Sequence, residues 1–227
     1  MSPRTRDREQ ASEQILEAAA VAISEHGFHG MSMRVLAQST GMSLANFYNY
    51  FDSKEDLLFT LHTRSFSALL SAVDVELQKA TEPVEQLFLF IANHVAYFIQ
   101  HTAVMHVLVH EAGRLAPKHR PAVRKLKDEY FGRARAIVAA ILARRGERTA
   151  GEIERATYCV FGMMNWVYAW YDAQQHGSAG DVARTIHTMA MNGLAGMNDS
   201  VGIAATSEVL DAAALPSPIR RKETTPL

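Results

Sequence analysis

The residues whose types and spacing could do recognition chemistry cluster between Ser32 and Lys54. Asn46 and Asn49 stand three apart, so on a helix they share one face, and an asparagine amide can pair with the edge of adenine through two hydrogen bonds. Leu44 and Ala45 precede them on the same segment, where small apolar groups can meet a thymine methyl, and Tyr50 closes that outer face. Tyr48 and Lys54 can donate to phosphates, as can the backbone amides at helix starts near Ser32 and Ser43.

Such groups work only if a scaffold presents them together. A short helix is predicted from Ser32 to Thr40, ended by Gly41. After the tight turn Gly41-Met42-Ser43, a second helix carries Phe47 and Phe51 and is broken at Asp52-Ser53. Leu36, the small Ala37 and Phe47 can pack the two helices together. This is the layout of a helix-turn-helix, whose second helix enters the major groove of DNA.

Catalytic and metal chemistry find no comparable pattern. There is no nucleophile elbow, phosphate-binding glycine loop or metalloprotease signature, so an enzyme is not expected. His106 and His110 have the i, i+4 spacing of a chelating pair, but no third ligand has diagnostic spacing, so no metal and no cofactor are expected. The single cysteine, Cys159, lies in an apolar run and reads as inert core; it also rules out a disulfide within the chain.

The remaining pattern is helical throughout. A first helix is predicted over 12–26, with Ser12 as cap and Gly27 as stop, and a long one from Lys54 to about Ala80, with Leu58, Leu61, Phe66, Leu69, Val73 and Leu77 on one side. Thr81 and Pro83 open the next, to Gln100. A shorter one covers 101–113, a basic one runs to Arg145, and the last two cover about 153–176 and 181–197. No alternating strand pattern appears, so the fold class is all-α. The expected domains are 1–53 (arm and DNA-binding unit), 54–198 (a larger helical unit) and 199–227 (a disordered tail, with a short helical piece near 207–214).

Composition is that of a globular protein: 227 residues, 48% hydrophobic, 21% charged, formal net charge −1. The longest apolar stretches, 87–99 and 158–171, fall short of the roughly 20 residues of a membrane span. No secretory signal is evident at the start, so a cytoplasmic protein with no membrane partner is expected. The first 60 residues hold five Lys/Arg against eight Asp/Glu, so only the arm Arg4–Arg8 is locally positive, and it reads either as a groove or backbone contact or as a solvated terminus.

Between about Ile15 and Leu61 the chain resembles the TetR family of bacterial one-component transcriptional regulators: Gly27-Phe28, Leu36-Ala37, Gly41, Phe47-Tyr48, Tyr50-Phe51 and Lys54 carry the likeness. The resemblance implies a three-helix DNA-binding domain on a larger helical ligand-binding and dimerisation domain. By position it implies that Arg34, Ala45, Asn46, Asn49 and Tyr50 face bases while Ser32, Tyr48 and Lys54 hold the backbone. Leu44-Ala45 stands where many members have a polar residue or proline followed by glycine. The last two helices match the pair that forms a four-helix dimer interface in this family, with Ala183, Ala190, Gly193 and Ala195 permitting close contact. A two-fold operator requires a two-fold protein.

In the larger unit, Phe161–Tyr171 and His110–Leu115 are similar to segments of TetR regulators that answer to acyl-CoA thioesters. Phe98, Met105, Val109, Met163, Trp166 and Trp170 are the expected walls of a small hydrophobic effector's pocket. Eleven Lys/Arg between Arg114 and Arg148 make this the most basic segment, and Arg114, Lys118 or Arg124 would meet the phosphates. The expected function is a homodimeric repressor released from a palindromic operator by an effector such as an acyl-CoA. The alternative is a TetR-type regulator of efflux or aromatic catabolism answering to a drug-like or aromatic effector.

Overall fold

The computed structural model describes residues 3–196. They form eleven α-helices and one 3-10 turn: α1 (Pro3–His26), α2 (Met33–Ser39), α3 (Leu44–Tyr48), α4 (Lys54–Leu77), α5 (Pro83–Gln100), α6 (Thr102–His110), the 3-10 turn Ala112–Arg114, α7 (Arg120–Ala143), α8 (Ala150–Asn165), α9 (Val167–Trp170), α10 (Ala173–His176) and α11 (Ala179–Gly196). No strand occurs among the described residues, and the all-α expectation holds. The expected tail 199–227 lies outside them. No single described helix is long and apolar enough to cross a membrane.

Local chemistry explains most helix starts. Ser32, Ser43 and Ser53 sit in extended backbone, and their hydroxyls accept from the amides of Val35, Asn46 and Asp56, satisfying donors that a helix start leaves open. Glu55 and Asp56 add negative charge where the α4 dipole is positive. Thr149 and Glu152 form a reciprocal capping box at α8.

Several helix boundaries differ from the sequence expectation: α3 ends at Tyr48, so Phe51 lies beyond it, α6 ends at His110 and α8 begins at Ala150, and three further differences have a clear local cause. α1 begins at Pro3, not Ser12, which is buried inside the helix. Residues 4–26 hold no glycine or proline, and proline is tolerated in a first turn. α5 is capped by Glu82, not Thr81: Pro83 disfavours helical backbone at the residue before it, and Glu82 is extended. The predicted helix over 153–176 is three pieces. Backbone turns at Trp166 and Tyr171 interrupt it, and the Asp172 carboxylate restarts helix by accepting from the Gln174 and Gln175 amides.

α4 packs along α5 and α7, and α1 lies on α6. The core is continuous: Phe47 and Phe51 belong to the same buried cluster as Leu57, Leu61, Phe98, Met105 and Leu108. Cys159, expected in the core, is exposed, because the α8 face that carries it turns away from the chain's own core. Ala183 and Ala190 are buried against their own chain, whereas Gly193 and Ala195 are exposed.

The core holds a polar oddity on α4. His62 on α4 is fully buried, and neither ring nitrogen has a hydrogen-bond partner. Burial first, and the positive charge of Lys127 second, lower its pKa from 6.5 to about 3. The unfolded chain therefore binds a proton below pH 6.5 that the folded chain refuses until about pH 3, so this contribution to stability is present above 6.5 and declines as pH falls through that window. Denaturant titrations at stepwise lower pH should show stability dropping across it, with a shallower drop for His62→Leu. An equal pH slope in both proteins would refute the buried neutral imidazole.

Candidate functional site

The reading surface is built on α2 and α3. Leu36, Ala37 and Phe47 are essentially fully buried between the two helices. The Met42 amide donates to the Ala37 carbonyl at 2.9 Å, and Gly41 takes φ +70°, a left-handed conformation that favours glycine. This fixed turn exposes Ala45, Asn46, Tyr48 and Asn49, with Tyr48 46% accessible. The Asn49 side-chain amide donates to the Asn46 side-chain oxygen at 3.4 Å, so the two carboxamides orient one another. The Ser32 and Ser43 hydroxyls accept from helix amides and keep their own protons to donate outward. Arg34 is exposed on α2.

Three residues expected to face DNA are otherwise engaged. Leu44 and Tyr50 are half-buried against the core, so only their edges reach outward. The Lys54 ammonium lies 3.3 Å from the carbonyls of Phe28 and Met31 and 4.6 Å from the centre of the Phe28 ring. It pins the loop before α2 and is half-buried in doing so.

The Phe28 peptide is held from its other side too. Its amide donates to Glu111 Oε1 at 3.1 Å, across 83 residues of chain. Glu111 follows α6 directly and also lies 3.7 Å from Arg114. Sequence reasoning placed Glu111 only within the segment His110–Leu115 and missed its contact with Phe28, because that partner is a backbone amide distant in sequence.

A second feature is a cavity of about 610 Å³ among α4, α5, α6, α7 and α8. Phe98, Met105 and Val109 line it as expected, together with Phe66, Leu108 and Phe161. Met163, Trp166, Trp170 and Arg114 are not among its lining residues. Trp166 and Trp170 are 58% and 43% exposed, because the helix breaks flanking them turn the rings outward against Tyr168 and His176. Arg114 is exposed beside Glu111, and Arg124 lines a separate surface groove at the start of α7. The cations on the cavity wall are Lys127 and Arg135, set against Asp128 and Glu154. Burial lowers the pKa of Lys127.

His106 and His110 stand with ring centres 4.4 Å apart, and His110 Nε2 is 2.9 Å from the Tyr168 hydroxyl. No group of three metal-ligating side chains occurs among the described residues.

Comparison with known proteins finds two family matches. Residues 15–61 match the model of bacterial regulatory proteins, tetR family, and residues 80–194 match the tetracyclin repressor-like C-terminal domain. A fatty acid metabolism regulator protein of Bacillus subtilis is 28% identical over 81 residues, which is 36% of this chain and 42% of that protein. The chain thus spans less than half the length of the curated relatives it matches. Among solved structures, the TetR family regulator PfmR of Thermus thermophilus is 27% identical, with a TM-score of 0.69 over 84% of this chain and 96% of that one. AibR, solved in complex with isovaleryl coenzyme A and operator DNA, shares the fold at 22% identity and a TM-score of 0.69, over 79% of this chain and 97% of its own.

The exposed asparagine pair sets the first expectation for binding. Asn46→Ala should lose roughly 1–3 kcal/mol per half-site and relax base preference there. Tyr48→Phe should weaken binding to all sequences alike, as loss of a phosphate contact does. Gel shifts over a randomised operator library read both; unchanged affinity and preference for Asn46→Ala would overturn the register of α3.

Proposed function

The chain belongs to the TetR family of bacterial transcriptional regulators, and we propose that it is a homodimeric repressor released from a palindromic operator by an acyl-CoA. The observation that carries the reading is the pairing of an exposed asparagine face on a helix-turn-helix with a largely apolar cavity in the larger helical unit. Ser32, Arg34, Ser43, Ala45, Asn46, Tyr48 and Asn49 would hold DNA, with Leu44 and Tyr50 at the edge of the contact and Lys54 acting through the loop it pins.

Support for the effector class is chemical. A cavity of this size suits a small apolar group. Lys127, on its wall, forms no ion pair among the described residues, so a negatively charged ligand would gain there. An acyl-CoA joins an apolar chain to phosphates. The fold shared with AibR and the partial likeness to a fatty acid metabolism regulator point the same way. The ring-rich wall of Phe66, Phe98 and Phe161 equally favours an aromatic effector, which is the second reading.

Support for the dimer comes from the apolar groups left on α8 and α11. Cys159 on α8 and Met189 on α11 are exposed, and a methyl group added at Gly162 or Gly193 would meet nothing within 4 Å. An exposed apolar surface of this kind fits burial against a second copy.

Gly193→Leu should weaken dimerisation, since overpacking a close helix contact typically costs about 1–3 kcal/mol. Sedimentation showing the unaltered protein as a monomer at micromolar concentration would refute the dimer. A panel of acyl-CoAs should release the protein from DNA of its own promoter region in gel shifts. Calorimetry finding no acyl-CoA bound more tightly than millimolar would refute the acyl-CoA reading and favour the aromatic one.

A further inference from the structure

The wall of the cavity contains one polar group that its surroundings leave unsatisfied. His94 on α5 is buried, and its ring stacks on Phe98 with centres 3.8 Å apart. Its Nδ1 lies 3.1 Å from the Tyr130 hydroxyl. Its Nε2 is buried without a hydrogen-bond partner. Asn165, also on the cavity wall, is placed to hydrogen-bond the ring and so raises the histidine pKa against the effect of burial, but the contact falls short of a formed hydrogen bond to Nε2.

Both rings of the His94–Tyr130 pair are uncharged at neutral pH. Burial lowers the histidine pKa to about 3 and pushes the Tyr130 phenol up. Neutrality leaves two arrangements of the shared proton. If Nδ1 donated to the tyrosine oxygen, the phenol proton would have no acceptor among the described residues and the Nε2 lone pair would have no donor. If the phenol donates to Nδ1, only one group is left over, an Nε2–H. The second arrangement leaves fewer buried groups unpaired and is therefore favoured.

The result is a neutral hydrogen-bond donor set in a wall otherwise dominated by Phe66, Phe98, Met105, Leu108 and Phe161. We propose that His94 Nε2–H receives the carbonyl oxygen of an acyl group seated in this cavity, so that the site selects acyl compounds over hydrocarbon ligands of the same shape. The inference rests on the acyl-CoA reading above and adds the atom that recognises it. A hydrocarbon occupant would bury this donor unpaired, which a carbonyl oxygen avoids. A carboxylate at the same point would bury a charge against a neutral donor, so an uncharged thioester carbonyl fits better. Tyr130 is then a positioning residue, because its hydroxyl fixes which ring nitrogen carries the proton.

The test uses the full chain and two ligands, an acyl-CoA and its thioether analogue in which a methylene replaces the carbonyl. Calorimetry on the unaltered protein should find the thioether weaker by about tenfold or more. His94→Phe keeps a stacking ring and should bind both within about threefold of each other. Tyr130→Phe keeps its own ring but releases the proton arrangement, so it should narrow the difference. If His94→Phe does not fold, the comparison in the unaltered protein and in Tyr130→Phe decides. Equal affinity for thioester and thioether in the unaltered protein, or tighter binding of the free acid, would overturn the role of His94 and leave the acyl-CoA reading standing. Failure of both CoA compounds to bind would overturn that reading and this inference with it.

Discussion

Phe28 is a point at which charged groups of the larger helical unit grip the loop before the reading helices, in addition to the continuous core. Its amide is taken by the Glu111 carboxylate at 3.1 Å and its carbonyl by the Lys54 ammonium at 3.3 Å. Both are charge-assisted bonds, which are stronger than neutral ones. The loop they fix leads directly into α2, and α2 fixes α3 through Leu36, Ala37 and Phe47. Gly27 helps, because its φ of +73° ends α1 and turns the chain so that the next amide meets Glu111.

This clamp sits close to the cavity in sequence and in the packing. α6 lends Met105, Leu108 and Val109 to the cavity wall, and Glu111 follows Leu108 by three residues. A ligand can bias the position of α3 only if it binds two arrangements of the protein with different affinity. A shift of α6 on filling the cavity would be felt at Glu111 directly, and α1 packs along α6 as well. The physical route is therefore short: cavity wall, one helix end, one peptide, one reading helix. Core packing resists gradual deformation, so such a route favours two discrete positions over a continuum.

What is legible in the sequence follows from the range of the interactions involved. The helix-turn-helix is local: Gly41, the capping serines, and the spacing of Leu36, Ala37 and Phe47 act within a few residues, and each reads directly. The all-α class follows from periodicity in the same way. Lys54 reads as a DNA contact because its type fits phosphate, but its actual partners are carbonyls 23 and 26 residues away. Trp166 and Trp170 reach the cavity only on the assumption of one straight helix, and the interruptions at Trp166 and Tyr171 end that assumption. Cys159 reads as core because an apolar run on a helix does not say which of its faces meets the chain itself. His94 carries no local signal at all, since its significance comes from Tyr130, 36 residues on.

The charge balance of the reading domain constrains how such a protein would work. With five Lys/Arg against eight Asp/Glu in the first 60 residues, phosphate neutralisation supplies little sequence-independent affinity. Two of the acids are committed to structure: Glu55 and Asp56 stabilise the start of α4, so they cannot be removed without cost to the helix that supports the turn. Under the proposed reading, affinity would then come from directed contacts of the Asn46–Asn49 face and from helix-start amides. In the proposed dimer both half-sites must be engaged at once for these contacts to sum, because a single weakly steered half would dissociate readily. Directed contacts tolerate less misplacement than diffuse electrostatics do. In the proposed dimer, a small change in the spacing of the two reading helices would therefore release such a protein more completely than it would a strongly basic one, and the contacts at Phe28 hold the loop before the reading unit to the larger helical unit of each chain.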